Sequence, residues 1–120
     1  DPGDAAWPYH YHTANEEAIY VLAGEGTHRT PDGERDLSPG AYVACPADAD
    51  GAHRVLVPDD ADGPLRYLTV STMRDPDVTR YPDSGQVGLF VGAPPGGEGD
   101  RPIHGYFREA DAVDDWLDES

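Results

Sequence analysis

Glycine and proline make up 26 of the 120 residues and are spread along the whole chain, so the runs between them are short. Glycine reaches positive φ and proline fixes φ while lacking an N–H, so both favour turns and interrupt helices. The spacing predicts strands over 7–12, 17–23, 27–30, 35–37, 41–45, 52–57 and 65–72. Pro31-Asp32-Gly33-Glu34 is a hairpin signal, because Asp-Gly suits positive φ. Beyond Met73 the text changes: Asp75-Pro76, Tyr81-Pro82-Asp83-Ser84-Gly85 and Pro94-Pro95-Gly96-Gly97 read as extended, loop-rich chain. Residues 109–117 can form one short C-terminal helix. About seven short strands with turns roughly every 8 to 12 residues imply an all-β sandwich or barrel. A chain of 120 residues makes one domain, and 38% hydrophobic content suits a globular one.

Two histidines stand two apart in His10-Tyr11-His12, and alternate residues of a strand share a face. The imidazoles of His10 and His12 therefore project to one side. Glu17 opens the next apolar run, and antiparallel pairing of the two segments would bring its carboxylate to both imidazoles. His53, further along, supplies a third. Three neutral imidazoles and a carboxylate form a coherent ligand set for one divalent transition metal.

Charge excludes other functions. Twenty-four acidic residues face eight basic ones, all arginine, for a net charge of −16 with no lysine. Such a chain repels nucleic acid and anionic membranes, and no apolar run approaches the roughly 18 residues of a membrane span. Self-repulsion of this size destabilises a compact state at low salt and is screened at molar salt. The composition points to the high-salt cytoplasm of a halophile, such as a haloarchaeon. The single cysteine, Cys45, excludes an intramolecular disulfide and a multi-thiolate cluster; its apolar run makes it a small buried side chain.

The chain resembles the cupin family. That family's first motif is Gly, then His-x-His, three or four residues, Glu, six residues and Gly; here it is carried by Gly3, His10, His12, Glu17 and Gly24. The spacing to Gly24 selects Glu17 over its neighbour Glu16, which is read as a solvated carboxylate. The second motif begins with Gly40 and Pro46 and then departs from the pattern: Gly51 comes late, His53 follows after one residue, and Val57 stands where the family has Asn. The resemblance covers about Gly3 to Ser71, and the tail is similar to that of bacterial and archaeal single-domain cupins without an assigned reaction.

The resemblance implies a jelly-roll-type double-stranded β-helix with a metal inside the barrel, often as a homodimer. It divides the chain into a barrel core, 1–72, and a C-terminal extension, 73–120, packed on the same domain. Cupins usually carry one or two strands before the first motif, which would precede Asp1. The metal ligands are expected to be His10, His12, Glu17 and His53, holding one divalent ion of zinc, manganese, iron or nickel. His28 is read as a surface histidine or a partner of a ligand rather than a fifth ligand, and His104 as peripheral. Trp7, Tyr9, Tyr11 and Tyr20 have outward parity, and the tyrosines are expected to pack on a neighbouring sheet or subunit. Arg29, Arg54 and Arg66 alternate with inward residues and are read as solvated or paired with acids.

Three imidazoles and a carboxylate leave one or two coordination positions for water, oxygen or a small molecule. Iron, manganese or nickel there would suit oxygenation, and zinc would suit isomerase, lyase or hydrolytic chemistry. Two function classes remain, a metal-dependent enzyme on a sugar or organic acid and a non-catalytic module that binds metal or a small metabolite. No catalytic residue beyond the metal group stands out, and fold alone does not decide between them.

Overall fold

A computed structural model describes residues 1–118 as ten strands, β1 (Tyr11–His12), β2 (Glu17–Ala23), β3 (Gly26–Thr30), β4 (Gly33–Leu37), β5 (Tyr42–Cys45), β6 (Arg54–Leu56), β7 (Arg66–Ser71), β8 (Asp77–Tyr81), β9 (Gln86–Val91) and β10 (Ile103–Arg108). They form three antiparallel groups, β5-β2-β7, β4-β3-β6 and β1-β8-β9-β10. The last two are joined at one point, where His10 and His53 pair across neighbouring strands. Their backbones exchange both hydrogen bonds, His53 N–H to His10 O at 2.9 Å and His10 N–H to His53 O at 3.2 Å. This almost helix-free barrel is the all-β architecture expected of the cupin double-stranded β-helix.

Period-2 alternation explains how the layers close. On β2, Ile19 and Val21 are buried while Tyr20 and Leu22 are exposed. Ile19 and Val21 meet Leu37 of β4 and Val55 of β6, so the core fills the space between β5-β2-β7 and β4-β3-β6. Gly24 takes φ +84°, and a Cβ there would lie 2.2 Å from the Pro64 carbonyl oxygen, so the turn after β2 admits no side chain.

The chain after Met73 is more ordered than its proline and glycine content implies. Residues 77–81 and 86–91 pair with each other, and β8 also pairs with β1 through Tyr11 to Arg80 and His12 to Thr79. The expected C-terminal helix is absent among the described residues: one 3-10 turn spans Glu109–Asp111. Val113, Trp116 and Leu117 have helical spacing, yet all three are exposed. Without a surface to pack on, and with aspartates that favour local turns over helix interiors, so short a helix is not stable. No helix among the described residues is long and apolar enough to cross a membrane.

Candidate metal centre

His10 and His12 stand on the first strand segment, and both are buried. Glu17 begins β2 directly opposite Cys45 of β5 and Ser71 of β7, which turns its carboxylate inward. Ligand atoms of His10, His12 and Glu17 all lie within 4.8 Å of one another. Glu17 Oε1 is 2.5 Å from His12 Nε2. His53 flanks this trio, with Nε2 at 3.4 Å from Glu17 Oε2 and its ring centroid 4.7 Å from that of His10. A hydrogen-bonded cross-strand pair places side chains on one face, which is why His10 and His53 meet although 43 positions separate them.

The departure of the second motif has a local remedy. The residues between Pro46 and His53 form a 3-10 turn, Ala49–Gly51, capped by the Asp48 side chain, which accepts from the Ala49 N–H. The Asp48 N–H donates to the His12 carbonyl at 2.7 Å, tying the turn to the first motif. Gly51 is held against Pro46, where a Cβ would come within 1.6 Å of the carbonyl oxygen. The displaced glycine is thus the close-packing point that returns His53 to the cluster.

The outer nitrogens of the three rings determine the inner ones. His10 Nδ1 lies 2.7 Å from the Pro8 carbonyl oxygen and His53 Nδ1 lies 2.8 Å from that of Gly51. A carbonyl can only accept, so each Nδ1 carries a proton, and a neutral ring keeps its lone pair on Nε2. His12 Nδ1 is 2.7 Å from the Asp77 carboxylate, which is fully buried and also accepts from the Ala14 N–H. Carbonyl or carboxylate partners on the far nitrogen are what orient metal-binding imidazoles. His10, His12 and Glu17 therefore fit a divalent metal, with anchored rings and gathered donor atoms, and His53 stands beside them outside that group.

Electrostatics follow from the same contacts. Burial lowers the His10 pKa to about 4, only partly offset by the Pro8 carbonyl, and the neighbouring His53 and His12 push in the same direction as burial. Burial also opposes charge on His12, but Asp77 and Glu17 outweigh it and raise the pKa to about 9. His53 is raised to about 10 against burial by Cys45, Glu17 and the Gly51 carbonyl. Burial alone would raise Glu17; its bonds to His12 and His53 instead hold it well below the usual carboxylate range. Without a metal the carboxylate is balanced by protonated imidazoles.

Other expectations are revised. His28 is not a surface histidine: it is 2% exposed, faces inward opposite Val55, and neither ring nitrogen has a hydrogen-bond partner. Its ring centroid is 6.3 Å from that of His53, and burial followed by the charges of His53 and Arg35 lowers its pKa. Tyr9 and Tyr11 are buried with Ala52, whereas Tyr20 is exposed on the outer face of β2. Arg29 pairs with Asp83, but Arg54 has a buried Nε without a partner. Cys45 is buried as expected and also borders the site beside His53. His104 packs on Phe90 at the surface, away from the cluster. Asp77 was missed by sequence reasoning, which read this part of the chain as loop; the one available signal was an acid placed just before the short run Val78 to Tyr81.

Comparison with known proteins agrees with this geometry. A putative sugar phosphate isomerase from Acidithiobacillus ferrooxidans ATCC 23270 has a similar structure, with 28% identity and a TM-score of 0.73 over 94% of this chain and 65% of that one. A sugar phosphate isomerase of the cupin superfamily from Silicibacter pomeroyi DSS-3 shares the fold at 23% identity and a TM-score of 0.76, over 93% of this chain and 64% of that one. The chain therefore spans slightly less than two thirds of the length of either. No curated protein matches the sequence. The family model described as "Cupin domain" matches residues 1–71, more than half of the chain, and with the barrel and its histidine cluster this places the protein in the cupin family.

Proposed function

We propose that this protein is a metal-dependent cupin enzyme in which His10, His12, Glu17 and His53 hold one divalent zinc, manganese, iron or nickel ion, and that it isomerises a small sugar or sugar phosphate. The observation that carries the metal site is the convergence of His10, His12 and Glu17 within 4.8 Å, with each imidazole anchored through Nδ1. The likeness, at 28% identity, to a protein described as a putative sugar phosphate isomerase favours isomerisation over oxygenation. A divalent ion in this group would supply Lewis acidity toward a carbonyl or hydroxyl oxygen of the bound molecule.

The remaining interior groups suit this reaction. His28 is an unpaired imidazole beside the cluster whose lowered pKa keeps it neutral near pH 7. A buried polar group without a partner is costly, so a hydroxyl of the bound molecule on a His28 ring nitrogen would relieve the site. The same nitrogen can take a proton from carbon or oxygen and return it, which isomerisation of a hydroxy-carbonyl requires. Tyr67 of β7 is half-buried against the core within the field of Glu17, and both raise its pKa. The test is deuterium exchange: metal-loaded protein incubated with aldose phosphates in D2O should label the carbon beside the carbonyl. Stoichiometric metal and saturable sugar binding without exchange would instead establish the second reading, a non-catalytic binding module.

Two further features belong to this reading. Ile103, Tyr106 and Phe107 of β10 are all exposed on an edge strand of a molecule measuring 60 × 27 × 23 Å. An edge strand apolar on both faces is a pairing surface, so we infer a homodimer that covers it; light scattering of Phe107→Asp should give a monomer, and a dimer there would reject this face. The charge of −16 without lysine supports a high-salt cytoplasm as the working environment.

A further inference from the structure

Beside the N-terminal segment opens a cleft of about 330 Å3, lined among others by Ala5, Trp7, Pro8, Arg54, Tyr81 and Asp83. Arg54 alternates with the buried residues His53 and Val55, so its guanidinium leaves the sheet on the face opposite the histidine cluster. Tyr81 is the shared wall, with its ring centroid 5.9 Å from that of His10.

Two guanidiniums, one lining the cleft and one behind it, meet a single carboxylate here. Arg29 of β3 and Arg54 of β6 stand directly opposite each other, an arrangement that costs free energy between like charges. Asp83, which also lines the cleft, is shared unevenly between them: its two oxygens bond Arg29 Nη1 at 2.6 Å and Nη2 at 3.0 Å, and it attracts Arg54 only at longer range. The Arg29 guanidinium also lies 3.9 Å from the Tyr9 ring centroid, which fixes it further. Arg54 has no ion pair among the described residues, and its buried Nε has no hydrogen-bond partner. In a chain with only eight basic residues, a guanidinium with a buried Nε and no direct ion pair is unusual, and a carboxylate or phosphate is what its fork matches. Next to it, Trp7 is 68% exposed, and with Pro8 and Ala5 it offers a flat apolar wall.

We propose that this cleft is a second ligand site, which binds a small organic anion: a carboxylate or phosphate group held by Arg54, on a flat or apolar body laid against Trp7. The site does not depend on the metal reading, since none of the four proposed ligands lines the cleft.

Trp7 reports on the cleft directly once the other tryptophan is removed by Trp116→Phe. In that background, phenyl phosphate and inorganic phosphate are titrated against the full chain while Trp7 emission is followed. Phenyl phosphate should change the emission saturably and bind more tightly than inorganic phosphate. Arg54→Gln should weaken both at least about tenfold, the loss expected of a charge-assisted hydrogen bond. If Arg54→Gln fails to fold by circular dichroism, Arg54→Lys keeps the charge without the fork and should still weaken phenyl phosphate severalfold. Absence of saturable change with either probe, or unchanged binding by a folded Arg54 variant, overturns the site. Equal affinity for the two phosphates overturns the apolar part of the ligand class.

Discussion

Loading the centre with metal should release protons in a number set by the histidine contacts. At pH 7 His10, lowered to about 4, is already neutral, and Glu17 is already ionised. His12, raised to about 9, and His53, raised to about 10, are both charged. A metal must therefore displace about two protons, and the affinity constant should rise about 100-fold per pH unit between about pH 5 and 8, tenfold for each proton. The sign is fixed by the shifts: raised histidine pKa values favour the proton below about 9, so affinity climbs until both rings are neutral. Three histidines at their ordinary pKa of about 6.5 would give a slope that vanishes above pH 7. Calorimetric titration of chelator-stripped protein with zinc, in buffers of different ionisation enthalpy, counts the protons. Release of fewer than one proton at pH 7, with affinity flat above pH 6.5, would refute the assignment of charge to His12 and His53.

Three shorter predictions follow from other contacts. Asp77→Asn removes the carboxylate that orients His12 and should lower metal affinity about 10- to 100-fold with the fold intact; unchanged affinity by calorimetry would separate Asp77 from the site. His28→Leu removes two unsatisfied buried nitrogens and should add up to about 1–3 kcal/mol of stability, read as a higher melting temperature, while reducing turnover with metal content unchanged; a destabilised variant of full activity would contradict its role. The melting temperature should climb steeply from 0.1 to about 2 M KCl as screening relieves the net charge of −16; a flat profile rejects the high-salt assignment.

The geometry of the site was largely legible because a strand has period 2. His10-x-His12 shares a face whatever the rest of the chain does, and Glu17 starts a run whose inward set, Ile19 and Val21, has its own parity. His53 stays paired with His10 despite the irregular spacing before it, because the extra residues close into a turn. What failed was whatever depends on contacts distant in sequence. Asp77 reaches His12 across 65 positions and leaves no local pattern. Tyr9 and Tyr11 do have the opposite parity to the histidines, but Arg29 covers Tyr9 and both pack with Ala52, so outward here is not exposed. Strands β8 to β10 were read as loop because prolines and glycines flank each short run, and pairing between neighbouring runs is not visible in either alone. The reverse error at residues 109–117 has the same origin: helical spacing promised a helix, and no surface receives it.

The ligand set itself is tested by metal content. Protein expressed with zinc, manganese, iron and nickel all supplied, then dialysed at pH 8, should hold about one equivalent of a divalent transition metal by mass spectrometry. The double variant His10→Ala/His12→Ala, folded by circular dichroism, should hold none. A folded double variant that keeps a full equivalent would place the metal elsewhere and remove the basis of the proposed activity.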